Sequence, residues 1–571
     1  MTKEREQKIN EGFALANLCR YVYRFSKGKR HILFFYIFLF VLVNIIDQMD
    51  VVLGGYIFNY LQLHGVNNTT IVTVLLLISG FFVIDVTSWA LHGPARILEQ
   101  RVAFFVSNNF RDYLYKNTLD LPLTFHNEEH SGQIISKISK GTSSLDEFTS
   151  NGFLIIKSIA SAVAVFIALF VYNYKFAVIG MVGLLATYFI VYLFEKTINP
   201  LRDDINKKDN ILSEIIYDTI SNITTIKMLS LSGVVARSLE METSNKFKSF
   251  KRKIVLNEIK WYIPSFVGTL FIVGVLLYYV YSVYIVGTVI MVGSLYTLYS
   301  FLARLKGVLY DSAWFMSNIQ NNNRNIVNSE ALSDNFTEIE VFNHKQNKNI
   351  QSINLSTLNF SYNESFSVVI DYLNLEKGKS YAFVGESGCG KTTVLKILAS
   401  LIHVDIYTLK VNGHEAQFPN IKDSVMLIPQ EPELFSNTIR ENITLGIPFP
   451  EKEIDEVLHI VNLKEVIDGL PEKIESKVFE KGVNLSGGQK QRLALARGII
   501  FAKEKEVVLL DEPTSSVDQE NEEQIYEKIL RICDDKIFIS SVHKKNLLKF
   551  FYYIVYFERG KIKEIIKNTN K

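Results

Sequence analysis

The sequence predicts a membrane protein in two parts: a six-helix α transmembrane region, followed by an α/β P-loop domain. Three observations carry this. Long apolar runs are confined to roughly the first 310 of 571 residues, and the rest is polar and rich in Lys, Glu and Asn. The connections between the apolar runs differ sharply in basic charge. A glycine-rich segment, GESGCGKTT at 385–393, stands in the polar half. A chain of this length is also too long for one ordinary core.

A bilayer core needs about 20 apolar residues per helix. Six stretches qualify: 32–60, 71–91, 152–172, 176–194, 263–284 and 285–303. The last two run together, so a tight turn near Val286 and Gly287 has to separate them. The N-terminal thirty residues hold eight Lys or Arg, the stretch 95–151 holds six, and 195–262 is richer still. The opposite connections, 61–70, 173–175 and the turn near 286, hold only Lys175. Basic loops stay in the cytoplasm, which predicts a multi-pass protein of the cytoplasmic (inner) membrane with both termini cytoplasmic. The first apolar run follows a charge-rich lead and lacks a small-residue cleavage site, so it reads as a retained span. The net charge of +2 averages two unlike halves and singles out no partner, and no segment points to nucleic acid. Cys19, Cys389 and Cys533 are too few and too scattered for a disulfide framework or a zinc site.

Three acids interrupt the first two spans: Asp47, Asp50 and Asp85. A carboxylate inside a span costs ~2.5–3.5 kcal/mol on insertion scales, so it should face protein or a water-filled cavity. The i, i+3 spacing puts Asp47 and Asp50 on one helical face. They either line an acidic cavity for a cationic cargo or form a helix-interface pair. Tyr279, Tyr281, Tyr284, Tyr296 and Tyr299 either line such a cavity or pack between helices.

In the polar half, the apolar run 381–384 reads as a buried strand, and Val394 onward as a helix. Between them Gly385, Glu386, Ser387, Gly388, Cys389, Gly390, Lys391, Thr392 and Thr393 form a P-loop. The glycines let backbone N–H groups converge on a polyphosphate at a helix start. Lys391 supplies a point charge for the β- and γ-phosphates, and Thr392 is placed as a Mg²⁺ ligand. Cys389 sits beside Lys391 and a helix start, a setting that favours a reactive thiol. The expected ligands are ATP and Mg²⁺.

Residues 484–492 read NLSGGQKQR, and the apolar run 507–510 ends in Asp511 and Glu512. Four apolar residues ending in Asp-Glu describe a buried parallel strand that delivers carboxylates at its C-terminal edge. P-loop, LSGGQ and apolar-run-Asp-Glu in this order resemble the ABC ATPases. The resemblance implies further roles position by position. Tyr362 matches the aromatic that stacks on adenine. Gln430 matches the glutamine that senses Mg²⁺ and the attacking water. Asp511 resembles the Mg²⁺-organising aspartate and Glu512 the catalytic base. Ser486, Gly487, Gly488 and Gln489 resemble the signature that covers the nucleotide of a second domain. Asp518 lies in a stretch like the D-loop, and His543 resembles the switch histidine. Phe479 stands where exporter relatives usually have Gly before the acid at Glu480, and Lys544 where Arg is usual.

The layout of the first half is similar to exporter-type members. It has short outer loops and long inner connections, with 125–132 and 221–227 resembling the inner turns that contact the ATPase. The chain as a whole resembles a half-size bacterial ABC exporter. Its transmembrane domain would cover 1–328, a linker 329–349, and an ATPase domain with a helical subdomain 350–571. That implies alternating access driven by ATP, with a second half-transporter, identical or different, as partner in the bilayer. The expected cargo is a peptide of the bacteriocin or microcin kind, cationic if the acids line its cavity. A multidrug exporter or a lipid or lipid-linked glycan flippase is the alternative, and a membrane regulator or an importer on the same fold a further one.

Overall fold

A computed structural model of the chain describes residues 14–119, 121, 123–128, 131–172, 174–332, 349–363, 366–431, 433–479 and 484–568. The described residues divide into two compact units. One holds most of the helical first half; the other joins residues 349–568 with the short helix Leu123–Glu128.

The helical unit opens with α1 (Ala14–Phe25), whose Leu18, Tyr21, Val22 and Phe25 are buried at helical spacing. Phe25 and Tyr21 pack against Phe110 with ring centroids 5.0 and 5.9 Å away. Then come α2 (Arg30–Asp47), α3 (Met49–His64), α4 (Asn68–Leu119), α5 (Leu123–Glu128, of the second unit), α6 (Ser131–Ser150) and α7 (Gly152–Tyr172). They are followed by α8 (Tyr174–Ser221), α9 (Ile223–Met228), α10 (Ser232–Val286) and α11 (Val292–Glu330). Five helical stretches are long and apolar enough to cross a membrane: 30–64, 68–119, 152–171, 174–221 and 232–286. The sixth, α11, has 39 residues, about 58 Å at helical rise, but its apolar run is diluted by Arg304, Lys306 and Asp311.

Two features depart from the simple picture of six unbroken spans. The first predicted span is interrupted at Gln48, where α2 ends and α3 begins. Here the Asp50 carboxylate accepts from the Val51 N–H at 2.5 Å, a local bond that competes with the helical ladder. The predicted span 285–303 is also split. Val286 ends α10, Gly287 takes a left-handed cap at φ +71°, and α11 starts only at Val292. A left-handed cap terminates a helix wherever glycine allows it.

Close packing in this unit relies on small residues and on one buried ion cluster. A Cβ added to Gly293 would lie 1.9 Å from the Gly55 carbonyl oxygen, so α3 and α11 meet backbone to backbone, as small residues permit in membranes. Lys260 of α10 donates to Glu195 of α8 at 2.7 Å, with Arg202 at 3.5 Å from the second oxygen. All three are buried. Removing one partner would leave a buried charge uncompensated.

The second unit is built on a ten-stranded mixed sheet. Its strands are β1 (Ser352–Asn363), β2 (Phe366–Glu376), β3 (Ser380–Val384), β4 (Ile406–Val411), β5 (His414–Ala416), β6 (Val425–Ile428), β7 (Val507–Asp511), β8 (Ile537–Ser541), β9 (Tyr553–Glu558) and β10 (Lys561–Lys567). The spatial order is β5-β4-β1-β2-β10-β9-β3-β8-β7-β6. The run β9-β3-β8-β7-β6 is parallel throughout. Its central strands β3, β7 and β8 are almost wholly buried, as parallel sheets require. Helices α12 (Lys391–Leu398), α13 (Ile439–Thr444), α14 (Glu451–Ile460), α15 (Lys464–Asp468), α16 (Gly487–Ala502) and α17 (Gln519–Ile532) complete the unit. Two apolar cores result. One packs α12 against β1, β2 and β3; the other gathers α13, α14, α16 and α17.

Candidate nucleotide site

Neighbouring parallel strands bring the chemistry-bearing residues to one edge of the sheet. The loop 385–390 leaves the end of β3, Asp511 ends β7, and Gln430 and His543 follow β6 and β8 by two residues. Phe383 and Asp511 are both in register with Ser541. At about 4.8 Å per strand spacing, the foot of the loop and Asp511 lie roughly 10 Å apart. Ligands of open α/β sheets bind at this edge.

The loop turns on Gly388 and Gly390, at φ +79° and +107°, angles that cost a residue with a Cβ. Lys391 opens α12 and is buried. Its ammonium donates to the Gly385 oxygen at 2.8 Å and the Glu386 oxygen at 3.0 Å. Those neutral acceptors are weaker than a phosphate oxygen, so an arriving phosphate would take over the donors. Glu386 and Ser387 are exposed, Thr392 is half-buried and Thr393 buried. Cys389 lies deeper in the loop than Glu386 and Ser387. It is 6% exposed and belongs to the apolar core beneath the loop, with Val394, Phe383 and Phe557. Its backbone shapes the loop, and its Sγ accepts from the Lys391 ammonium at 3.8 Å, so the thiol lies beside the lysine but is buried beneath the loop.

The acids are held by partners from the ends of β6 and β8. Asp511 is buried, and its Oδ1 accepts from the Ser541 hydroxyl at 2.7 Å. The Glu512 backbone lies at φ +45° and donates its N–H to the same hydroxyl at 2.9 Å. Positive φ in a residue with a Cβ is a strained state that the surroundings must enforce. The Glu512 carboxylate accepts from Gln430 Nε2 at 2.9 Å on one oxygen and meets His543 Nε2 at 2.5 Å on the other. Gln491 ties this group to its surroundings. Its Nε2 donates to Ser515 Oγ at 2.8 Å and to the Gln430 oxygen at 3.3 Å, and its Oε1 accepts from the Ser516 N–H at 2.8 Å. Ser541, Gln491 and Ser515 were not singled out by the sequence. The only available signals were a polar residue ending an apolar strand and a second glutamine inside 484–492.

The remaining predicted residues sit on helix starts and one strand. Ser486 caps α16 with Gln489 in a reciprocal pair: Ser486 Oγ accepts from the Gln489 N–H at 3.2 Å, and Gln489 Oε1 from the Ser486 N–H at 2.9 Å. Such a box leaves the other N-terminal N–H groups free for an anion. Gly487 opens the helix. A Cβ at Gly488 would lie 2.7 Å from the Ser516 oxygen, so the segment around Asp518 packs on the signature. Asp518 caps α17, and hydrogen bonds from the Asn521 side chain and N–H hold its carboxyl below its ordinary range. Tyr362 lies in β1, one residue before Asn363, which pairs with Phe366. The Phe366 ring comes within 3.5 Å of where a Gly390 Cβ would be, so this hairpin end borders the phosphate loop. Phe479 is exposed, whereas Glu480 and most of 329–349 lie outside the described residues.

The donor set fits a magnesium nucleotide. Mg²⁺ is bound through one or two protein oxygens together with substrate phosphates. Asp511 offers one carboxylate, with the neutral oxygens of Thr392 and Gln430 beside it, and among the described residues there is no cluster of three or more His, Cys, Asp or Glu that would cage a metal.

Comparison with known proteins agrees with this arrangement. Residues 33–307 match the family model for the ABC transporter transmembrane region, and residues 371–515 that for the ABC transporter. A Staphylococcus aureus protein, named as a candidate multidrug export ATP-binding/permease protein, is 26% identical over 494 residues, covering 82% of this chain and 83% of its own. The ABC-type transmembrane transporter verA of Clonostachys rogersoniana is 25% identical over 517 residues, 85% of this chain but 40% of that longer protein. A solved structure of a bacterial Atm1-family ABC exporter with ATP bound shares the fold, with TM-score 0.84 at 20% identity over 94% of this chain and 96% of that one.

Proposed function

The chain belongs to the ABC transporter family, as an exporter-type half-transporter with membrane and ATPase regions fused, and from that premise we propose how its export cycle runs and what it carries. It is a membrane ATPase coupled to ATP-driven export. In the proposed cycle Tyr362 stacks on adenine, and Lys391 and the loop N–H groups hold the phosphates. Thr392, Asp511 and Gln430 would hold Mg²⁺, which when bound would neutralise charge on the phosphate oxygens. Glu512 accepts the proton of the attacking water, while Gln430 and His543 fix its carboxylate. Ser486 and Gly488 of a second half-transporter cover the far side of the nucleotide. Every motif is intact in this chain, which favours a homodimer with two competent sites. The basic inner connections favour the cytoplasmic membrane with both termini inside.

The cargo we propose is an amphipathic molecule of drug-like size. The relatives named for multidrug export support this, as does a cavity of about 570 Å³ in the helical unit, within the range of small-molecule sites. A short cationic peptide is the second reading, favoured by the acids of the cavity lining.

The observation that carries the mechanism is the Glu512 carboxylate, fixed by two side chains beside Asp511 at the ligand edge of the sheet. In proteoliposomes, Glu512→Gln should lose ~10²–10⁴-fold in steady-state hydrolysis, the range of a general base, while still binding ATP. ATP-driven uptake should fall with it. Near-normal turnover by the pure variant would overturn the assignment.

A further inference from the structure

The cavity in the helical unit has a charge pattern that distinguishes its acids from one another. Asp47, Asp50, Asp85 and Asp311 line it, with Lys157 and Arg304 as its cations. Arg304 is fully committed. It donates to both Asp50 oxygens at 2.7 and 2.8 Å, to Gln48 Oε1 at 2.6 Å and to the Asp47 backbone oxygen at 3.0 Å. These bonds clamp α11 onto the break between α2 and α3 and neutralise Asp50.

Asp47, Asp85 and Asp311 have no cation at ion-pair distance among the described residues. The Asp47 carboxylate is held by a neutral group, the Ser88 hydroxyl, at 2.6 Å. A further acceptor faces the same space. Asn44 lines the cavity and is 5% exposed, its Nδ2 donates to the Phe40 oxygen at 2.7 Å, and no donor among the described residues meets its amide oxygen. Phe81, Ile84 and Val308 supply apolar wall. Uncompensated carboxylates at membrane depth favour a positive guest, since the low dielectric strengthens the attraction.

We propose that this cavity is the cargo site and takes an amphipathic organic cation. Asp85 and Asp47 are its charge partners, the Asn44 amide oxygen accepts a hydrogen bond from it, and the Asp50–Arg304 pair is fixed wall. The proposal rests on the exporter reading and deepens it. It also divides Asp47 from Asp50, which helical spacing alone would have treated as equivalents.

The test uses the full chain in nanodiscs without nucleotide. The probes are ethidium, an amphipathic cation, and 8-anilinonaphthalene-1-sulfonate, an amphipathic anion. Asp85→Asn and Asp47→Asn should each weaken ethidium binding about tenfold or more, the scale of a hydrogen bond to a charged group. Anion binding and melting temperature should not move, and Asp85→Glu should retain ethidium affinity. Asp50→Asn should instead lower the melting temperature, and Asp50→Asn with Arg304→Gln should recover it and still bind ethidium. No ethidium binding by the unaltered chain, unchanged affinity in both Asp85→Asn and Asp47→Asn, or a parallel loss of anion binding overturns the proposal. ATP-driven ethidium uptake into inside-out vesicles separates the two claims. Charge-dependent binding without uptake defeats the exporter reading and leaves the cavity standing. Uptake that survives both substitutions defeats the cavity and leaves the exporter standing.

Discussion

In the proposed cycle Lys391 and Glu512 divide the work at one site. There Lys391 would reach the phosphates as a point charge, so Lys391→Ala should weaken nucleotide binding itself. Glu512 would act on water, so Glu512→Gln should leave binding intact. On a filter, the glutamate variant should retain labelled ATP and the lysine variant should not; equal retention by both would show the role given to Lys391 to be wrong. Cys389 carries a different lesson. Sequence neighbours place it beside Lys391, yet it is buried among core side chains. Cys533 is also buried, and burial pushes its thiol up to about 12. Thiolate is the reactive form, so maleimide should label Cys533 only after unfolding, and the burial of Cys389 beneath the loop should slow its labelling in the native protein. Rapid native labelling of Cys389 with loss of hydrolysis would restore the reactive reading.

At the scale of elements, α16 and β6 meet through a missing side chain. Ile428 ends β6, and a Cβ added to Gly498 of α16 would lie 2.0 Å from its Cδ1. Alanine is a better helix former than glycine by ~1 kcal/mol, but overpacking a core costs ~1–3 kcal/mol. Gly498→Ala should therefore destabilise the ATPase unit, and Ile428→Ala in the same chain should recover part of the loss. Strictly additive costs in that double-mutant cycle would refute the contact. Helix α17 offers a pH test. Lys549, Asn546 and Gln519 bond to Glu523 and hold its carboxyl down at about 2, against an ordinary value of about 4.3. A folded value below the unfolded one adds stability above about pH 4.3, and that stability is lost as pH falls towards 2. Glu523→Gln should thus lower the melting temperature at pH 7, with the gap from the unaltered chain closing below about pH 4. A gap constant across that range would show that the ion pair contributes nothing.

For the whole molecule, the basic connections predict which side carries the ATPase. A tag at the C-terminus should be accessible in inside-out vesicles and protected in intact cells, and the reverse pattern would overturn the orientation. Hydrolysis should also stop when EDTA removes divalent ions and return with Mg²⁺, because Thr392, Asp511 and Gln430 offer too few protein oxygens to hold the metal without nucleotide. Activity that persists in EDTA would contradict this.

What could be read from the sequence was whatever a contiguous stretch encodes by itself. Residues 385–393 specify strand, loop and helix start within one local motif, and the structure shows that strand, turn and helix. Apolar runs of bilayer length likewise announce spans, because each helix satisfies its own backbone. Side-chain partnerships were beyond its reach. Gln430 and His543 meet Glu512 from 82 and 31 residues away, and Arg304 finds Asp50 across 254. Such pairs depend on which strands lie side by side and how closely helices approach, and a single sequence records neither. The tertiary structure therefore decided that Asp50 is neutralised while Asp85 is not, that the first span breaks at Gln48, and that Cys389 faces the core. For Asp50, Asp85 and Cys389 the deciding quantity is what a distant segment supplies or withholds, which only packing settles, whereas the break at Gln48 also draws on the local bond from Val51 to Asp50.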